Sequence, residues 1–135
     1  MREIPIHFVA LLGAAVAKMA IGALWYSPAL FVKPWLKLSG ITEKQMKEGM
    51  GKALVVDFVG SFLMAFVLVH AIRYAGAVTA LQGLAVGFFN WLGFVAVVTI
   101  GTVTYERKPF NLFLLNNGYL LISLSAMGAI LAVWG

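Results

Sequence analysis

Four apolar runs, 4–25, 53–72, 79–103 and 110–134, set the strongest limit on what this chain can fold into. A helix rises about 1.5 Å per residue, so a run of ~20 apolar residues crosses the ~30 Å hydrocarbon layer of a bilayer. Hydrophobic residues make up 62% of the 135 and charged ones 11%, an apolar excess beyond what a soluble domain of that size buries. The expected fold is an all-α membrane protein: one four-helix transmembrane domain over residues 1–135, its short-looped helices forming a bundle. Lys18 interrupts the first run and no small-x-small cleavage site follows before Trp25, so that run is expected to be a retained helix and not a signal peptide.

The formal charge of +5 does not point to nucleic acid, because seven of the ten Lys and Arg residues fall in two inter-helix loops. Lys33, Lys37, Lys44, Lys47 and Lys52 lie between the first two runs, and Arg107 and Lys108 between the last two; Arg2 and Arg73 lie on the opposite side. The positive-inside rule then places both basic loops in the cytoplasm and both termini outside it, in a multi-pass protein of the cell's inner membrane. With no cysteine in the chain, thiolate metal sites, disulfides and cysteine nucleophiles are excluded.

The stretch WYSPALFVKPW, residues 25–35, divides into an anchor and a second helix. Trp25 and Tyr26 fall at the headgroup level that amphipathic rings favour. Ser27 is the expected cap of a new helix with Pro28 at its first position, bent or restarted at Pro34. Along it Phe31, Trp35 and Leu38 share one face, while Lys33 and Lys37 take the other, the pattern of a short interfacial amphipathic helix. Thr42 is the expected N-cap of a solvated turn that runs on into the second span.

These residues carry a family likeness. Trp25-Tyr26-Ser27-Pro28-x-x-Phe31-x-x-x-Trp35 and Leu38-x-Gly40-Ile41-Thr42, with Gly87-x-x-x-Trp91-x-Gly93-Phe94, the Glu106-Arg107-Lys108-Pro109 turn, Asn117-Gly118-Tyr119 and Met127-Gly128-Ala129-Ile130, resemble a family of small four-helix membrane proteins classed only as a domain of unknown function. The resemblance covers nearly the whole chain and implies fold and membrane location. It brings no catalytic or ligand residues, and Lys18 lies outside its pattern.

Gly83 and Gly87 form a small-xxx-small pair on the third span, with Asn90, Phe94 and Gly101 expected to continue the same face. Packing within the bundle and a homodimer contact are both open to such a pair.

Charges inside a span are functional candidates by default, and Lys18 and Asp57 are the two here. Each lies about 8 to 10 Å inside the basic end of its span, so the two are expected to meet. Asn116, Asn117 and Tyr119 enter the fourth span from the same side at similar depth, and Asn90 is a candidate extension toward the middle. One acid, one base and several amides could hold a zwitterion or relay a proton; a structural ion pair and inter-helix hydrogen bonds use the same residues. His7 and His70 lack a neighbouring carboxylate, so neither a metal nor a cofactor is expected.

No nucleophile elbow, phosphate loop, paired-carboxylate site or zinc-protease helix occurs, so no enzymatic activity is expected. Two classes remain: an accessory, structural or oligomeric membrane subunit, alone or in a larger complex, and a small-molecule, ion or lipid binder or transporter using the polar cluster. The lipid bilayer is the partner both share.

Overall fold

The computed structural model describes residues 6–135, and within them every regular element is helical. They are α1 (Phe8–Trp25), α2 (Val32–Ser39), α3 (Glu43–Ala75), α4 (Ala80–Thr104) and α5 (Phe110–Trp134). All except α2 are long and apolar enough to cross a membrane, which fits a multi-pass membrane protein. Arg2 and the first residues of the 4–25 run lie outside the described residues. On α4, Leu81, Phe89, Phe94 and Val98 are 66–76% exposed, an apolar surface that calls for lipid as its solvent.

The polypeptide runs up and down. His7 donates to the Trp134 carbonyl at one end, and Trp25 donates through Nε1 to the Leu115 carbonyl at the other. The apolar core occupies the His7 end, where Leu11 and Ala14 of α1 meet Ala65, Val69 and Ile72 of α3 and Met127 and Leu131 of α5. At the junction of α3 and α4, Gly76 adopts a left-handed φ of 72°, a conformation open to a residue without Cβ. Thr79 then caps α4 through a capping box with Gln82.

α3 is 33 residues long, about 50 Å, and so outruns a ~30 Å hydrocarbon layer. Its first turns are a polar extension, capped by Thr42 with Gln45 and carrying the exposed pair Lys47–Glu43 at 3.2 Å. The expected helix from Pro28 does not form. Residues 26–31 coil in successive turns, Ser27 Oγ bonds back to the Leu24 carbonyl, and α2 begins only at Val32. A helix from Pro28 would hold Pro34 in its interior at a penalty of about 3 kcal/mol, whereas starting at Val32 leaves Pro34 in the first turn, where no N–H is needed.

α4 rests chiefly on α5, where small residues let the two backbones touch. A Cβ on Gly83 would strike the Gly128 carbonyl and one on Gly87 the Leu124 carbonyl. The face toward α5 continues as Trp91, Val95 and Thr99, not through Asn90 and Phe94 as the sequence pattern predicts. For Phe94 the reason is a π turn at Leu92–Ala96, and Asn90, which precedes it, bonds back to the Val86 carbonyl of its own helix. From Gly83 to Thr99 a regular helix would carry a four-residue series about 160° around its axis, and one wide turn takes back about 100° of that.

Gly83→Leu or Gly87→Leu is expected to lower stability by about 1–3 kcal/mol or more through overpacking against α5. Gly93→Leu, where a Cβ meets nothing within 4 Å, is expected to be neutral. Reversible unfolding in mixed micelles measures all three.

Candidate functional site

Lys18 sits where α1 is closely packed, and its side chain is 4% exposed. Its Nζ donates to Asp57 Oδ1 at 2.9 Å and lies 5.3 Å from the centre of the Tyr119 ring. The Tyr119 hydroxyl donates to the Lys18 carbonyl at 3.3 Å. A carboxylate on one side and a π face on the other thus stand in for the water the ammonium has lost. Asp57 differs from its partner. Its side chain is 44% exposed, and among the described residues Lys18 is its one hydrogen-bond partner.

Tyr26, expected as a membrane anchor, is also part of this centre. Its hydroxyl donates to Asn116 Oδ1 at 2.7 Å, and its ring stands edge-on to Tyr119 at 5.4 Å and to Trp35 at 5.7 Å. Burial first, then the neighbouring Tyr119 and Asp57, push its phenol above the ordinary value, so it stays a neutral donor. Phe31 packs on Trp25 at 4.7 Å, while Lys33 and Lys37 of α2 are exposed.

The residues singled out in the sequence do not form a single cluster. Asn116 and Asn117 are neighbours on α5 and therefore point about 100° apart. Asn116 turns to Tyr26; Asn117, 5% exposed, turns to α4, accepting from Trp91 Nε1 at 3.2 Å and donating to Thr99 Oγ1 at 3.1 Å. Asn90 joins neither group, because its Nδ2 bonds to the Val86 carbonyl one turn back on its own helix. Gly83 and Gly87 lie against α5, remote from the charges along α4. His70 bonds to the Phe66 carbonyl, and no group of three potential metal ligands occurs among the described residues.

Two cavities flank Tyr26. One, of about 410 Å³, lies between α4 and α5, with Thr99, Thr102, Asn116 and Asn117 in its wall and Lys108 beside it. The other, of about 750 Å³, is a cleft between α1, α2 and α3. Met19, Val32, Leu36, Met46, Met50 and Leu54 make its walls apolar, Lys33, Glu43 and Lys47 stand toward one end, and Asp57 stands at the other. On α3, Met46, Met50, Leu54 and Asp57 are spaced four, four and three apart, one continuous helical face. That spacing is the sequence signal for the cleft; the turns before the second span, which carry Met46 and Met50, are expected from their charges to be solvated, whereas Leu54 and Asp57 are expected within the span. Ser61, one turn beyond Asp57, and Ser123, one turn beyond Tyr119, are fully buried with unpartnered hydroxyls among the described residues.

The pair sets a stability test. Asp57→Leu strands a buried ammonium and is expected to destabilise by about 3 kcal/mol or more, whereas Lys18→Met leaves a half-exposed carboxylate and should cost less. The double variant Lys18→Met/Asp57→Leu is expected to recover most of the loss, and equilibrium unfolding of the three reports the cycle.

A protein-family model described as "Protein of unknown function (DUF1761)" matches residues 9–132. No curated protein and no solved structure matches the chain.

Proposed function

The chain belongs to the DUF1761 family, whose function is unknown, and we propose that it is a non-enzymatic, membrane-embedded binding protein whose site is the cleft ending at Asp57. One observation carries this reading: a carboxylate at the depth of an apolar span is half-exposed and faces a cavity of about 750 Å³, within the ~300–1,000 Å³ of small-molecule sites. A carboxylate needed only to neutralise Lys18 gains nothing from an opening beside it. Charged groups at such depth face cavities or partners, and here the cavity is present.

In this reading the four long helices form a bundle in the inner membrane, with both termini on the non-cytoplasmic side. α2 lies along the cytoplasmic interface with Trp35 toward lipid tails and Lys33 and Lys37 toward headgroups, and its amphipathic pattern supports that placement. The cleft then opens to the cytoplasm between α2 and the polar start of α3.

A second reading, an accessory or structural subunit acting as an oligomer or within a larger complex, is favoured by the near-complete burial of Lys18. A pair that only orients α1 and α3 would serve that role.

Native mass spectrometry from bilayer discs separates the two. A small molecule or lipid is expected to accompany the wild type and to be lost from the folded Lys18→Met/Asp57→Leu variant; an unchanged set of adducts favours the structural subunit. A reporter fused after Gly135 is expected to read as periplasmic, and a cytoplasmic signal would overturn the orientation.

A further inference from the structure

The cleft is unusual in where it keeps its polar group. Between Lys47 and Asp57 the α3 wall is apolar, Met50 and Leu54 over ten residues or about 15 Å. That is about the ~15 Å of one bilayer leaflet's hydrocarbon, the length of an extended single chain. Lys33, Glu43 and Lys47 lie where α3 projects beyond the span, and Glu43 and Lys47 are already paired with each other at 3.2 Å. Asp57, bonded to Lys18, stands at the deep end, and the hydroxyl of Tyr26 in the same lining is committed to Asn116.

We infer that the cleft takes an apolar molecule carrying a hydrogen-bond donor, an ammonium or a hydroxyl, at its leading end, which docks on Asp57. This rests on the binding reading above and names its ligand class. An ionised carboxylate accepts hydrogen bonds at about four lone-pair positions and donates none. Among the described residues Asp57 has one partner, Lys18 Nζ on Oδ1, so acceptor capacity remains on a group that is 44% exposed and lines the cleft.

An apolar chain end set against that carboxylate would desolvate it without return, and an anionic end would meet a like charge. Lys18 offers the anion no relief, because its ammonium is 4% exposed and already held by Asp57 and the Tyr119 ring. A donor end satisfies the carboxylate while the body of the molecule lies along Leu54, Met50, Met46 and Met19. Three unbranched thioether side chains let those walls fit bodies of different shape, so the end group and not the body sets specificity.

The chain contains no cysteine, so Met50→Cys places a single thiol in the cleft wall. Its alkylation by a maleimide is timed in bilayer discs with dodecylamine, dodecanol or dodecanoate at equal mole fraction. Leu81→Cys, exposed on α4, corrects for general effects on the bilayer. The amine, the alcohol or both are expected to slow alkylation by about tenfold, as one hydrogen bond to a charged acceptor gives, and dodecanoate is not. The protection should vanish when Met50→Cys is combined with Lys18→Met/Asp57→Leu. Met46→Cys serves if Met50→Cys does not fold.

Equal protection by all three probes, protection by dodecanoate alone, or protection that survives loss of Asp57 overturns the donor class while leaving the cleft a binding site. No protection by any probe overturns the class and the binding reading together.

Discussion

A buried ammonium inside an apolar span is the demand that the rest of this structure meets. Lys18 has exchanged water for one carboxylate and one aromatic face, both supplied by other helices, so α1, α3 and α5 are fixed relative to one another at that level. In lipid, apolar surface offers little reason for helices to associate, and direct polar contacts and close backbone approach take over. The chain uses the first device at the Trp25 end and the second between α4 and α5, where glycines let carbonyls and backbone meet.

The two ends consequently differ in kind. Toward His7 the interior is an apolar core of alanine, leucine, isoleucine, valine and methionine, and toward Trp25 it holds the ion pair, the amides and both cavities. Tyr26 borders both cavities, so its hydrogen bond to Asn116 is also the partition between them. The proposed site lies at the end that holds the cavities.

The long helices were legible in the sequence because length and apolar content alone set a span; α4 and α5 begin and end within a residue of the apolar runs. The approach of Lys18 and Asp57 was legible too, since depth can be counted from basic and aromatic borders. What was not legible is rotational. Phe94 lies on a regular helical face with Gly83 and Gly87, and the π turn removes it from that face, while Asn90 spends its amide on its own helix. No residue at Leu92–Ala96 announces a wide turn. The partition of Asn116 from Asn117 depends likewise on which neighbours each side of α5 receives. Pro34 was visible, but whether α2 starts before it or is bent by it follows from the turns at 26–31.

Adjacent asparagines tied to different helices have a mechanical consequence. Asn116 is held by Tyr26 at the end of α1 and Asn117 by Trp91 and Thr99 of α4, with the two bonds roughly at right angles about the axis of α5. Torque on α5 in either sense would stretch both, so that helix behaves as a locked spindle between its neighbours. Among the described residues no side-chain hydrogen bond ties α2 or the first turns of α3, the opposite wall of the cleft, to another long helix. On the proposed binding reading, a hinge motion of that wall, with α5 as the stator, would open the way to Asp57.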